Sequence, residues 1–142
     1  MAKVVIDASL TAAWCFPDEL TDYTNDVSSV VGATVDPIAP TLWAYEIHNS
    51  ILMGFKRGRI SKEDVERLLL FLDELDVLLI APPSYSTVFH LAETHGLTVY
   101  DAAYLDLALR EGTAIATLDK ALRSAARRAG VPLFDALLST EN

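Results

Sequence analysis

The stretch Lys3-Val-Val-Ile-Asp7 decides the fold class, because it joins a run of apolar residues directly to an acid. A short, continuous apolar run is typical of a strand buried on both faces, as in parallel sheets. The following residues, Ala8 to Phe16, favour a helix that we expect to stop at Pro17. The chain therefore begins as a strand and a helix with an acid at their junction.

The same alternation of strands and helices continues along the chain. Buried strands that alternate with helices over short connections indicate a parallel sheet covered by helices on both faces. We therefore predict an α/β fold in a single domain, residues 1–142. The predicted strands are 3–7, 37–40, 76–81, 114–118 and 131–134, and the predicted helices are 8–16, 19–31, 41–57, 61–75, 84–95, 99–111 and 119–129.

Composition supports one folded domain and excludes several classes of protein. The 142 residues are 51% hydrophobic and 22% charged, which is typical of a globular chain and not of a disordered one. Eleven Lys or Arg face twenty Asp or Glu, for a net charge of −9. Such a charge argues against a protein that coats nucleic acid or an anionic membrane, but not against an enzyme that grips phosphates through metal ions.

Two further patterns bear on location and on cysteine chemistry. The longest stretch without Asp, Glu, Lys or Arg, Val77 to Ala92, contains two prolines and a histidine, so it does not predict a membrane span. The acid Asp7 comes after only a short apolar run, so the N-terminal residues do not contain the longer apolar stretch expected of a secretory signal. We expect a cytoplasmic protein without membrane contact. Cys15 is the single cysteine, which excludes an internal disulfide and a cysteine-based zinc site.

Four acids stand at positions where a ligand is expected. Asp7 ends the first strand and Asp119 follows the strand 114–118, and ligands of parallel sheets bind beyond the carboxyl ends of the strands. Asp101 stands in the first turn of its helix, and Glu46 lies within an apolar segment. Taken one at a time, Asp7, Asp101 and Asp119 are each explained by helix capping or by the helix dipole. Neither role explains Glu46, because it lies more than a turn into its helix.

Convergence of these four acids would require a cation. At mean separations of ~6 Å and an effective dielectric of ~20, each pair of ionised carboxylates repels by ~3 kcal/mol. Six such pairs exceed the stability of a typical domain, so the cluster must bind cations or be protonated. Oxygen ligands without nearby cysteine or histidine suit Mg²⁺ or Mn²⁺.

The four acids, with their neighbours, resemble a known family. The chain is similar to PIN-domain ribonucleases, and within them to the VapC toxins of prokaryotic toxin–antitoxin systems. The resemblance spans essentially the whole chain in order and spacing. It rests on Val-Val-Ile-Asp7-Ala-Ser9, on Glu46, on Val-Tyr-Asp101-Ala-Ala-Tyr-Leu and on Ala-Thr117-Leu-Asp119-Lys-Ala-Leu.

The resemblance implies a fold, a reaction and partners. It implies a three-layer α/β/α sandwich with a five-stranded parallel sheet, usually as a homodimer. It implies endonucleolytic cleavage of RNA, with Thr117 as a supporting hydroxyl beside Asp119. A cognate antitoxin whose tail lies across the site would hold the enzyme inactive. The catalytic and metal-binding residues that it implies are Asp7, Glu46, Asp101 and Asp119, with one or two Mg²⁺ or Mn²⁺ ions.

Several polar and aromatic residues carry weaker signals. Ser9 could orient Asp7, and Asn49 is a candidate amide one turn beyond Glu46. We interpret Asp106 as a surface residue that pairs with Arg110. Trp14, Trp43, Tyr100 and Tyr104 are interpreted as core or interface aromatics.

Charged and apolar surfaces suggest where partners bind. The helix 61–75 is apolar on more than one face, around Leu70 and Phe71, which makes the hairpin 41–75 a candidate subunit contact and a candidate antitoxin groove. Two basic clusters are candidate RNA-binding surfaces, but a charged, solvated helix face is the preferred interpretation of both. These clusters are Lys56, Arg57, Arg59 and Lys62, and Lys120, Arg123, Arg127 and Arg128.

Three other functions are alternatives to a toxin. A housekeeping PIN-domain nuclease would carry the same acids. A PIN-like binding module would have lost some of them, whereas all four are present. A phosphoacceptor signalling domain would have adjacent acids after the first strand, but Asp7 is followed by Ala8. The sequence does not identify the RNA that is cut.

Overall fold

The computed structural model describes residues 2–136, in which strands and helices alternate as expected. A short 3₁₀ turn, Pro17–Glu19, joins the first two helices. The strands are β1 (Ala2–Ile6), β2 (Val35–Pro40), β3 (Leu78–Ile80) and β4 (Ile115–Ala116), and the helices are α1 (Ala8–Cys15), α2 (Asp22–Val30), α3 (Leu42–Lys56), α4 (Lys62–Leu75), α5 (Tyr85–His95), α6 (Val99–Glu111) and α7 (Lys120–Ala129).

The strands form one parallel sheet in the order β3-β2-β1-β4. Because crossovers between parallel strands are right-handed, the reversal of direction after β3 sends α5, α6 and α7 to the face opposite α1 to α4. The packing agrees, since α6 contacts β1, β2, α5 and α7, whereas α3 contacts β2, α1 and α4. The predicted α/β fold with a parallel sheet is confirmed.

The sheet has four strands in the described part of the chain, not the five implied by the family resemblance. The predicted strand 131–134 pairs with β4 through a single bridge between Ile115 and Leu133. Pro132 accepts a hydrogen bond from the Ile115 amide at 3.0 Å but has no N–H to donate, and β4 itself is two residues long. The pairing therefore ends before a fifth strand forms.

Two other strands differ from the prediction. The segment 76–81 was expected to be buried, but β3 is an edge strand in which Leu78 is 56% exposed. The brief piece expected at 37–40 is the longer, internal strand β2. It accommodates Pro37 because pairing with β3 starts only at Ile38, so Pro37 is paired on one side.

The core lies between the sheet and the first layer of helices on each face. Each full burial of a Leu or Ile side chain contributes about 1.5–3 kcal/mol. Tight contact extends to Gly54 in α3, where a Cβ would lie 2.6 Å from a ring carbon of Phe16. Fully buried side chains include Ile6, Leu10, Ile38, Ile47, Leu105, Ile115 and Leu122.

The α3–α4 hairpin has the predicted capping and a partly exposed apolar surface. Ser61 and Asp64 form the capping box that starts α4, as expected from their spacing. Phe71 is half-buried and meets the Trp14 ring edge-on, whereas Leu70 is 65% exposed. No helix within residues 2–136 has the length and apolarity needed to cross a membrane.

Candidate active site

Asp7 lies at the carboxyl end of β1 and caps the start of α1. Its Oδ1 accepts a hydrogen bond from the Leu10 amide at 3.0 Å. The Ser9 hydroxyl donates to its two carboxylate oxygens at 2.8 and 2.9 Å, and the Thr117 hydroxyl donates to Oδ2. The carboxylate is buried, with 4% of the residue exposed.

Ser9 and Thr117 tie the junctions after β1 and β4 together. The Ser9 hydroxyl accepts from the Leu118 amide at 3.1 Å, and the Thr117 hydroxyl accepts from the Asp119 amide at 3.0 Å. Their two oxygens lie 3.4 Å apart. Adjacent parallel strands bring these junctions side by side, so Asp7 and Asp119 share one end of the sheet.

Asp119 is also the N-cap of α7, and its Oδ2 accepts from the Leu122 amide at 2.8 Å. The charge of Asp119 also contributes to a raised pKa of Asp7. Burial, with a smaller contribution from Asp119, raises the pKa of the Asp7 carboxyl to about 6, against the opposing hydrogen bonds from Thr117, Leu10 and Ser9.

Glu46 in α3 and Asp101 in α6 complete the group of four acids, and the space beside these acids at the end of the sheet is called the crevice. Glu46 lies in the second turn of α3, and its Oε1 accepts a hydrogen bond from the Tyr104 hydroxyl at 2.6 Å. Burial and the nearby Asp101 raise the pKa of Glu46. Asp101 lies in the first turn of α6, and burial together with Asp119 raises its pKa.

The four predicted acids are thus close enough to disfavour one another's ionised forms. Asp119 raises the pKa of both Asp7 and Asp101, and Asp101 raises that of Glu46. None of the four forms an ion pair with a Lys, Arg or His in the described chain. Within residues 2–136, however, no three acidic, His or Cys side chains are close enough to hold one metal ion directly.

Asn49 lies one turn after Glu46 on α3 and has no hydrogen bond to the four acids in the described chain. Its exposed side chain lines a groove of about 310 Å³ between α1 and α3, together with Ala12, Met53 and Arg57. The side chain of its neighbour Ser50 donates to the Glu46 backbone carbonyl, at 3.1 Å, and not to its carboxylate.

Tyr104 is the residue whose contact the sequence interpretation missed. The sequence predicts a core or interface aromatic, and Tyr104 is 2% exposed, but its hydroxyl also reaches Glu46. The available signal was its spacing, since a residue three positions after Asp101 lies one turn away on the same helix face.

Asp106 was expected at the surface, and that expectation is wrong. Its predicted partner is correct, because Arg110 Nε donates to Oδ2 at 2.8 Å. The residue is nevertheless only 3% exposed, because the middle of α6 is covered by its neighbours, which include α5 and α7.

Several cations of the two basic clusters bond to the protein itself. Arg59 stacks over the Phe16 ring at 4.2 Å and bonds to Asp18 and Glu19. Arg123 donates to the Thr117 carbonyl at 2.8 Å, and Arg128 donates to the His95 carbonyl at 3.1 Å. These contacts favour a structural role for Arg59, Arg123 and Arg128.

Comparisons with known proteins agree with the fold and the acid pattern. The PIN domain family model matches residues 4–128. Ribonuclease VapC3 from Pyrobaculum aerophilum is 35% identical over 124 residues, which cover 84% of this chain and 92% of that protein.

Two solved structures share the fold at low sequence identity. PAE2754 from Pyrobaculum aerophilum superposes with a TM-score of 0.74 and 20% identity over 99% of this chain and 94% of its own. FitAcB from Neisseria gonorrhoeae superposes with a TM-score of 0.62 and 17% identity over 94% and 98%. With the family match and the identity to VapC3, this chain belongs to the PIN domain family, among its VapC-type ribonucleases.

Proposed function

We propose that the protein is a divalent-metal-dependent endoribonuclease that acts as a VapC-type toxin and is neutralised by a cognate antitoxin. Asp7, Glu46, Asp101 and Asp119 are its catalytic and metal-binding residues, with Ser9 and Thr117 in support and Asn49 as an outer amide. The ribonuclease activity of the similar VapC3 supports the reaction class.

The observation that carries the proposal is a cluster of acids without a cation of its own. Asp7 is buried against two hydroxyls and an amide, and the remaining three acids lie near enough to affect its titration or each other's. No basic side chain in residues 2–136 pairs with any of them. A fold that leaves this charge uncompensated is suited to a bound cation.

The donor set fits Mg²⁺ or Mn²⁺. All of the candidate ligands are carboxylates, and hard divalent ions prefer oxygen. Mg²⁺ commonly keeps several of its waters and takes one or two carboxylates directly, which agrees with carboxylates that do not close around a single point. A divalent ion bound there would activate a water molecule and stabilise charge on the scissile phosphate.

The chain's own residues then have separate tasks. Ser9 and Thr117 hold the Asp7 carboxylate between two strand ends. The amide of Leu122 orients Asp119 at the start of α7. Because Ser9 and Leu122 belong to helices and Thr117 directly follows β4, the two acids keep their orientation without rearrangement of the backbone.

The nuclease activity is tested with single-stranded or looped RNA in Mg²⁺ or Mn²⁺. We expect cleavage by the wild type, no cleavage in EDTA, and none by Asp101→Asn. Glu63→Gln is the matched control, because it removes an exposed first-turn acid from α4 and should keep full activity. Undiminished cleavage by Asp101→Asn, or in chelator, contradicts the proposal.

The antitoxin part of the proposal follows from the same charge. An Arg guanidinium could bond a carboxylate pair bidentately and block access of both metal and RNA. The rest of such a segment would be apolar and would pack on the α3–α4 hairpin, where Leu52, Phe55 and Leu70 are exposed.

Growth of an expression host separates a toxin from a housekeeping nuclease. We expect expression of the wild type alone to arrest growth, and co-expression of a small neighbouring-gene protein to relieve the arrest and form a stable complex. If a wild type with measurable ribonuclease activity is harmless, the toxin function fails, whereas the nuclease function stands.

We also propose a homodimer, with its contact on the α5–α6 face. The hairpin cannot hold an antitoxin and a second copy at one place. A second apolar surface carries the exposed side chains of Tyr85, Phe89, Val99 and Tyr100, beside an apolar pocket of about 210 Å³. Tyr100 directly precedes Asp101, so this contact would border the acid cluster.

Light scattering at micromolar concentration tests the dimer. We expect Tyr85→Arg to give a monomer and Leu70→Arg, at a similarly exposed position on the hairpin, to leave the dimer intact. If Leu70→Arg gives a monomer and Tyr85→Arg leaves the dimer intact, the subunit contact lies on the hairpin. A monomeric wild type contradicts both interfaces.

A further inference from the structure

The Tyr104 hydroxyl links two helices that carry the acid cluster. Tyr104 belongs to α6 and is 2% exposed, so its phenol is enclosed by protein. The hydroxyl donates to Glu46 Oε1, in α3, at 2.6 Å.

A hydroxyl at this position is more than a space-filling feature of the core. Burying a hydroxyl costs free energy unless it is hydrogen-bonded, and a phenylalanine would fill almost the same volume without that requirement. The short distance to Glu46 is typical of a hydroxyl that donates to a carboxylate. The hydroxyl is thus matched to an ionised Glu46.

The hydrogen bond restricts the orientation of Glu46. Its donor is held in the core on α6, whereas its acceptor lies at the end of a flexible side chain on α3. A fixed donor selects among the rotamers of that side chain. Tyr104 therefore holds the Glu46 carboxylate in one position.

The hydrogen bond also leaves part of Glu46 available. Tyr104 engages Oε1, and Glu46 Oε2 has no hydrogen-bond partner in the described chain although no buried polar side-chain atom is unsatisfied there. Oε2 is consequently open to solvent in the crevice. One carboxylate oxygen is fixed by the protein, and the other is free to act as a ligand.

We propose that Tyr104 is a positioning residue that fixes Glu46, through its Oε1, as a ligand for the divalent cation of the nuclease. This inference rests on the proposed metal-dependent function. Outer partners of metal ligands set ligand orientation, and their loss typically weakens metal binding by about 10- to 100-fold.

Mn²⁺ binding, measured by electron paramagnetic resonance, tests the inference without relying on activity. We expect Tyr104→Phe to raise the Mn²⁺ Kd by about 10- to 100-fold. Tyr45→Phe is the matched control, since it removes the hydroxyl of an exposed tyrosine next to Glu46 on α3 and should leave the Kd unchanged. At saturating Mn²⁺, Tyr104→Phe should lower kcat with little change in the KM for RNA.

A second variant separates positioning from a general loss of structure. Glu46→Gln keeps the shape of the side chain but removes its charge, so it should also weaken Mn²⁺ binding. Adding Tyr104→Phe to Glu46→Gln should change the Kd by less than about twofold, because the residue through which Tyr104 acts is already lost. A full additional loss in this background overturns the inference.

The possible failures are distinguishable. A wild type that binds Mn²⁺ together with a Tyr104→Phe variant that binds it equally well overturns the role of Tyr104 alone. A folded wild type that binds no Mn²⁺ overturns the proposed metal dependence itself.

Discussion

Asp7 and Asp106 are buried to nearly the same extent, with 4% and 3% of each residue exposed, but their surroundings differ. On α6, Asp106 has Arg110 at 2.8 Å. At the end of β1, Asp7 has two hydroxyls and one amide, and its pKa is raised to about 6. Asp106, which has a structural role, is paired with a cation, whereas Asp7, at the candidate active site, is not.

The largest expected difference between these two acids is in catalysis. Asp7→Asn should lower RNA cleavage by at least about 1000-fold, since a metal centre supplies several kcal/mol of transition-state stabilisation. Asp106→Asn should retain activity within about threefold at temperatures where it is folded, because Asp106 bonds to Arg110 and to none of the crevice acids. Initial rates on one RNA at saturating Mg²⁺ measure both, and comparable losses would remove the distinction.

A divalent ion bound by the four acids should compensate their charge, as Arg110 compensates that of Asp106, and so stabilise the folded protein. At a concentration one hundred times its Kd, a ligand of the folded state alone stabilises it by about 2.7 kcal/mol. For a chain of this length, that corresponds to a rise in Tm of about 5–10 °C. Calorimetry with and without Mn²⁺ should detect this rise in the wild type and a smaller one in Asp119→Asn, whose cap is preserved by asparagine. An equal rise in both proteins contradicts a shared site.

In the absence of metal, the two acids should have opposite effects on stability. The rise of the Asp7 pKa from 3.8 to about 6 corresponds to about 3 kcal/mol of destabilisation at neutral pH. Asp7→Asn should therefore stabilise the protein by about 1–3 kcal/mol after the altered hydrogen bonds are allowed for. Asp106→Asn should destabilise it by about 1–2 kcal/mol, a reduced figure because Arg110 is partly exposed. Urea unfolding in EDTA measures both, and shifts in the same direction would contradict the comparison.

The smallest predicted effect is on pH dependence. A carboxyl whose pKa is higher in the folded state contributes stability below its unfolded pKa, near 4, and loses it as pH rises through about 6. Metal-free wild type should thus gain about 1 kcal/mol between pH 7 and pH 5 from Asp7. The raised pKa values of Glu46 and Asp101 act in the same direction. Thermal melts across this range should show a clearly weaker gain in Asp7→Asn, and an identical gain would exclude Asp7 as its source.

Much of the site was predictable because its key positions are local features. Asp7 and Asp119 follow apolar strands directly, so their place at one end of a parallel sheet follows from the pattern alone. Asp101 lies in the first turn of a helix that starts at a capping threonine, Thr98. Glu46 was identified as an acid that no capping role explains, and the family resemblance supplied its role.

Other features were beyond the sequence because they depend on what packs against each residue. An aromatic residue in an apolar stripe predicts burial but does not predict what its hydroxyl contacts. The hydroxyl of Tyr104 bonds to Glu46, 58 positions away. The pairing of Asp106 with Arg110 followed from their spacing, but its burial depended on the packing around α6. The segment 131–134 is apolar enough for a strand, and Pro132 together with the short β4 stopped it from forming one.

The alternation of strands and helices, the residues that cap them and the acids at the strand ends follow from the amino-acid pattern, because they depend on propensities and hydrogen bonds within a few residues. The strand order, the exposure of β3 and the contact of Thr117 with Asp7, 110 positions apart, come from the folded arrangement. So does the difference between the buried acid that has a cation beside it and the one that has none. Burial, and with it the free energy of each charge, depends on neighbours that are distant in the chain and are brought together by packing.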